Sequence, residues 1–149
     1  MSTPSIRRIS YTAILFARNA DELITAYAAE CSIPGSVPQP QLYAAMEQAG
    51  ALQCFGAYVD ADLVGFVSVL SVTMPHNGKR MGTIESIFVT PSHRSTSAAT
   101  LLMSAAEQYA DELDCVGLIY QPRIGSSLDK ILAHRDNCVP THITYTRWL

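Results

Sequence analysis

The stretch TIESIFVTPSHRSTSAATLLMSAAEQYADEL, residues 83–113, decides how the rest of this chain is read. Ile84, Ile87, Phe88 and Val89 form an apolar, β-prone run that predicts a strand. Pro91 and Ser92 stop it, because proline cannot donate to a ladder and serine favours turns. After a polar loop over residues 92–97 the period becomes helical: Ala98, Leu101, Leu102, Ala105, Ala106, Tyr109 and Leu113 recur at three- and four-residue spacing and draw one apolar stripe. A strand that passes through small residues into a helix leaves backbone N–H groups unpaired at the helix start. Those groups and the helix dipole suit an anion, typically a phosphate.

Working outward, 149 residues are enough for one domain with a proper core, expected to span residues 1–149. Hydrophobic residues make up 48% and charged ones 15%, which is globular rather than disordered. A net charge of −3 gives no electrostatic footprint for nucleic acid. No apolar run approaches the ~20 residues that span a membrane, and MSTPSIRRIS lacks the apolar core of a signal peptide. A cytoplasmic location is expected. Cys31, Cys54, Cys115 and Cys138 form no CxxC pair, so they do not read as a zinc site, no metal is expected, and they are taken as reduced, mainly buried thiols.

Before the opening stretch, residues 6–17 contain β-branched and aromatic residues that predict a strand. Asn19 or Asp21 then caps a helix with apolar positions Leu23, Ile24, Tyr27 and Ala28. Residues 31–40 are rich in Pro and Gly and read as a loop, and a second helix over about 41–49 ends at Gly50. Residues 53–59 and 63–73 predict a hairpin, with the second strand nearly continuous in apolar character and therefore central. Asn77-Gly78 marks the next hairpin turn, leading to a strand over 80–89. Beyond the long helix come a buried strand over 115–120, a loop, a short helix from Ser126 or Ser127 to about Arg135, and a closing strand over 141–149. The order β-α-α-β-β-β-α-β-α-β describes an α+β protein with a mixed sheet, antiparallel first and with one parallel crossover.

The run from Val89 to Leu102 resembles the acyl-CoA-binding signature of the GNAT N-acetyltransferases, Arg/Gln-x-x-Gly-x-Gly/Ala between a strand and a helix. Arg94 fits the first position and Ala99 the last, and Ser97 stands where the first glycine is usual. The element order is similar over nearly the whole chain. The turn at Pro75–Gly78, the Glu85 strand and the final Arg147-Trp148-Leu149 also resemble a branch often carried by phages and prophages. The resemblance implies the GNAT fold, acetyl-CoA as acyl donor and an amine as acceptor, with direct transfer in a ternary complex. It implies that Arg94, Ser95, Thr96, Ser97, Ala98 and Ala99 hold the pyrophosphate. It further implies that the pantetheine arm bonds to the backbone of Ile87, Phe88 and Val89, where that strand splays from the one over 115–120.

Direct transfer requires an amine freed of its proton and a thiolate that receives one. Glu85 is the only carboxylate on the central strand, and its neighbours Ile84, Ile87 and Phe88 would desolvate it, which suits a general base. The plainer alternative is a rim Glu paired with Arg80 or Lys79. A strand bulge, common near this site in the family, would change the face Glu85 presents. For the acid, the family pattern lays His134 where a Tyr is frequent, and Tyr120, at the end of the splaying strand, is its rival. His134 could equally be a solvated helix-end residue. His93, Arg123 and Lys130 are weaker candidates for phosphate contact. A second reading keeps the fold without the chemistry: a catalytically degenerate protein acting as a CoA-binding or protein-interaction module, for example virion-associated. A homodimer through the closing strand is also open.

Overall fold

A computed structural model describes all residues but Met1, Ser32 and Pro34. The chain divides into two compact units, residues 1–119 and 120–149. The first contains β1 (Ser5–Ile9), α1 (Tyr11–Leu15), α2 (Ala20–Glu30), α3 (Pro40–Gln48), β2 (Leu52–Val59), β3 (Asp62–Thr73), β4 (Arg80–Val89), a 3-10 turn (Pro91–His93), α4 (Ala98–Glu112) and β5 (Leu118–Ile119). The second contains α5 (Ser127–Ala133). The five strands form one sheet in the order β1-β2-β3-β4-β5, antiparallel except for the parallel β4–β5 pair, so β3 is central as its apolar run predicts. The fold is mixed α+β, as expected from the order of elements.

Side-chain alternation divides the core between the two faces of the sheet. On one face Tyr11, Ile14 and Leu23 from the N-terminal helices pack on Leu52, Cys54, Leu63, Phe66 and Phe88. On the other, the buried stripe of α4 (Ala98, Leu102, Met103, Ala106, Ala110) covers the buried Val67, Val69 and Val89. Gly65 is required here: a Cβ would lie 2.8 Å from the Phe88 carbonyl oxygen and 3.3 Å from Leu102. The hairpin turn predicted at Asn77-Gly78 is present, with Gly78 at φ +68 and the Asn77 side chain accepting from the Lys79 N–H.

The strand expected within residues 6–17 is β1, which ends at Ile9; the chain then enters the short helix α1, whose Tyr11 and Ile14 are buried. Three expectations are corrected. Asn19 precedes α2 without capping it by its side chain; its amide instead clasps Leu63, donating to the carbonyl oxygen at 2.9 Å and accepting from the N–H at 3.2 Å. The strand expected over 115–120 shrinks to Leu118–Ile119, flanked by single bonds from Val116 N–H to the Arg80 carbonyl and from Gly82 N–H to that of Gly117. It is not buried, as Val116 is 63% exposed. Residues 141–149 form no strand and are exposed throughout. A β-prone sequence is a strand only where a neighbour takes up its N–H and C=O groups. Of the cysteines, only Cys54 is buried, and all four are free thiols.

Candidate active site

A register shift in β4 builds the site. Ser68 pairs with Ser86 and Val69 with Ile84, so two residues of β4 advance while β3 advances one, and Glu85 is the extra residue of a β-bulge. The bulge resets the alternation. Ile84 and Ile87, three apart, both face α4, whereas Glu85, Ser86 and Phe88 face the N-terminal helices. Glu85 is therefore not desolvated by the two isoleucines, as its sequence neighbours suggest, but exposed on the opposite face.

On that face hydroxyls converge on its carboxylate. The Tyr43 hydroxyl, from α3, donates to Oε1 at 2.9 Å. The Ser68 hydroxyl donates to Oε2 at 2.5 Å and that of Ser86 lies 2.9 Å from the same oxygen, with the two serine oxygens 2.7 Å apart. Ser68 is 1% exposed, so its hydroxyl needs these partners. Neither Arg80 nor Lys79 pairs with Glu85; Arg80 donates to the Ser71 hydroxyl at 3.1 Å. Among the described residues of the first unit, Arg18 pairs with Asp62 and Arg94 with Glu30, and no cation of that unit pairs with Glu85.

Three tyrosines surround this carboxylate. Tyr11 stacks on Tyr43 with ring centroids 3.8 Å apart and planes 4° from parallel, and the Tyr11 N–H donates to Glu47 Oε1 at 2.6 Å, tying α1 to α3. Tyr27 sits edge-on to Phe66 and Phe88. Burial and then the Glu85 charge push the Tyr11 and Tyr43 phenols up. Burial, the Cys31 thiol and Glu85 push Tyr27 up to about 12. Burial, then Glu47 and Glu85, push the Cys54 thiol up to about 12. All four stay protonated at neutral pH, so the phenols serve as hydrogen-bond donors.

The far end of β4 is open along one side. β5 takes up only Gly82 and Thr83, and from Ile84 to Val89 no strand of the sheet pairs with that edge. The Thr90 N–H donates to the Val64 carbonyl on β3. By ladder alternation the backbone groups of Phe88 therefore face β3 and those of Ile87 and Val89 face the open side. The Val89 carbonyl is already taken by Arg94 Nε at 2.9 Å.

In the loop, Arg94 lies over the Phe88 ring at 5.5 Å and pairs with Glu30 on α2 at 2.6 Å. Its guanidinium thus ties the loop to the sheet and to α2. The Thr96 hydroxyl donates to the His93 carbonyl at 2.6 Å and accepts from the Ala98 N–H at 3.2 Å. The N–H groups of Ser95, Ser97, Ala99 and Thr100 donate to no protein acceptor among the described residues. They are the donors a helix start offers to an anion. Ser97 has φ −77, so the loop does not require glycine there.

In the second unit, the Ser126 hydroxyl accepts from the Asp129 N–H at 3.2 Å and Asp129 accepts from the Gly125 N–H at 2.7 Å, a reciprocal cap on α5. His134 is the residue after the helix, exposed, with Nδ1 2.9 Å from the Lys130 carbonyl oxygen. A carbonyl only accepts, so Nδ1 is the donor of this bond. Tyr120 opens this unit and is half-buried. Arg123 and Lys130 are exposed. Among the described residues no group of three His, Cys, Asp or Glu side chains could hold a metal ion.

Tyr43, Ser68, Ser86 and the Tyr11 stack are absent from the sequence-based reading. The two serines carry a signal, since each interrupts an apolar strand; Tyr43, on a helix 42 residues from Glu85, carries none.

A mixed sheet whose parallel pair splays beside a bulged strand, followed by a helix with open N-terminal amides, defines an acetyltransferase fold. The acetyltransferase (GNAT) family model matches residues 20–123, and the chain belongs to that family, whose class is that of the N-acetyltransferases. Similar solved structures include the ribosomal-protein-alanine N-acetyltransferase of Brucella melitensis biovar Abortus 2308, at 23% identity and TM-score 0.73, covering 99% of this chain and 100% of that one. Another is an aminoglycoside acetyltransferase from an uncultured soil metagenomic sample, in complex with sisomicin, at 15% identity and TM-score 0.74, covering 98% and 96%. AAC(6')-Iy, in complex with a CoA-containing bisubstrate analogue, is similar at 18% identity and TM-score 0.68, covering 99% and 100%. No curated protein sequence matches the chain significantly.

Proposed function

We propose that this chain transfers an acetyl group from acetyl-CoA to a primary amine by direct attack, without a covalent enzyme intermediate, and that Glu85 is the general base. The observation that carries the reading is the placement of Glu85: lifted out of the ladder by the bulge, held by hydroxyls, and without a cationic partner in the first unit. An ammonium group brought to it supplies the missing charge and gives up its proton to the carboxylate.

The open side of β4 and the start of α4 fit the donor. The Ile87 N–H and C=O and the Val89 N–H are available to an amide-bearing arm, and the amides of Ser95, Ser97, Ala99 and Thr100 to a pyrophosphate. Acetyl-CoA supplies the electrophilic thioester and a thiolate leaving group. For the proton which that thiolate must receive, the sequence offers Tyr120 and His134. The acceptor class is a cationic amine, supported by a carboxylate without a cationic partner among the described residues of the first unit and by the sisomicin named for one structural neighbour. Four free thiols support a reducing, cytoplasmic setting, and the exposed alternating tail, with Tyr145 89% exposed, supports pairing with a second copy.

A panel of primary amines assayed by free-thiol release from acetyl-CoA, with a thermal shift at saturating acetyl-CoA, tests this. A ligand at a hundredfold over its Kd adds ~2.7 kcal/mol. Stabilisation together with amine-dependent thiol release is expected. No shift at millimolar acetyl-CoA would overturn the reading in favour of a module that keeps the fold without the chemistry.

A further inference from the structure

We propose that Tyr43 is the positioning residue of Glu85: its hydroxyl holds Oε1 and thereby directs the proton that Glu85 accepts to Oε2, the oxygen shared with Ser68 and Ser86. This rests on the reading of Glu85 as the base. Each hydroxyl carries one proton. The Tyr43 proton is committed to Oε1 at 2.9 Å, and the ring that aims it is clamped from behind by Tyr11, 3.8 Å away and nearly parallel. The clamp is closed by the backbone, because the Tyr11 N–H bonds to Glu47, four residues after Tyr43 on the same helix.

The other oxygen has a different geometry. Oε2, the Ser68 oxygen and the Ser86 oxygen form a triangle with edges of 2.5, 2.9 and 2.7 Å. Each edge is short enough for a hydrogen bond, yet the two serines bring only two protons to three edges. A proton on Oε2 fills the remaining one. The step balances simply: the acceptor's N–H bond breaks and its electron pair stays on nitrogen, the proton forms an O–H bond on Oε2, and the carboxylate becomes a neutral acid that donates within the triangle. Tyr43 and the serines thus divide the carboxylate into an oxygen that is held and an oxygen that is protonated.

Two measurements test this in the full chain. With 13Cζ-labelled tyrosine, Glu85→Gln should move the Tyr43 resonance at neutral pH, because a bond to a carboxylate is replaced by one to an amide. An unmoved resonance overturns the proposal whatever the chain catalyses. In the thiol-release assay, Tyr43→Phe keeps the stacked ring and should lower kcat about tenfold with the KM for acetyl-CoA unchanged. In the Glu85→Gln background the same substitution should cost less than about twofold, since the two residues act as a unit. An equal loss in both backgrounds would show that Tyr43 acts on the fold alone. Absence of thiol release by the wild-type chain counts against the acetyl-transfer reading, while the resonance still decides whether Tyr43 holds Glu85.

Discussion

Glu85 and His134 were both expected to handle protons, and the structure treats them in opposite ways. Glu85 is fixed by side chains from α3 and β3 and by its neighbour Ser86, across separations of up to 42 residues. His134 is exposed, and its Nδ1 bonds to a carbonyl of its own helix, four residues back. A side chain held from several elements keeps one geometry for as long as the fold persists, whereas one held by its own helix end is as mobile as that end. The proposed base is therefore part of the architecture, and His134 is held as a helix-end residue.

Glu85→Gln should break this comparison most visibly. It keeps the shape, removes the charge, and should lower kcat about 100-fold or more while leaving acetyl-CoA affinity unchanged, as read by thiol release and calorimetry. Alkaline pH should act next, through the same cluster. Tyr11, Tyr27, Tyr43 and Cys54 have raised values in the folded chain, burial being the first cause of each, so the folded state holds their protons more tightly than the unfolded one. Their contribution is whole below the unfolded values, about 9 for the thiol and about 10 for the phenols, and is lost as pH rises toward about 12. Urea midpoints at pH 8, 10 and 11 should fall across that window; a flat series would mean that the cluster is not buried in solution. His134→Gln should change kcat less than about threefold, and a tenfold loss would promote the histidine to the acid and leave Glu85 without its contrast. Smallest of all, Ser97→Gly should alter acetyl-CoA affinity by less than about twofold. Ser97 already has the φ of an ordinary residue, and glycine at a helix start costs only a few tenths of a kcal/mol.

Much of this was legible from residue order. The limits of β4, the start of α4, the Asn77-Gly78 turn and the central place of β3 follow from local signals that tertiary packing reinforces. Helix α1 was not legible, because five residues are too few to nucleate a helix without the packing of Tyr11 and Ile14, and their pattern is equally strand-like. The closing strand was over-read for the converse reason: THITYTRWL alternates correctly, but alternation names a face and does not supply a partner strand. At the site, Glu85 stood out as the lone carboxylate of its strand, yet its surroundings were misjudged. Period-two reasoning puts Ile84 and Ile87 on opposite faces, and only the one-residue bulge brings them together and turns Glu85 toward Tyr43. A bulge depends on the partner strand, so no local pattern announces it, and the expectation of one came from the family resemblance alone.

The central claim, that Glu85 takes the proton of the acceptor amine, is tested most directly by the ratio of wild-type to Glu85→Gln turnover as a function of pH. A lysine-like amine loses its proton to solvent near pH 10, and a base within the site is then no longer needed. The ratio should be about 100 or more near pH 7 and fall toward unity as pH approaches about 9.5. A ratio that stays constant across that range would contradict the account, leaving Glu85 an electrostatic or structural residue and the base elsewhere.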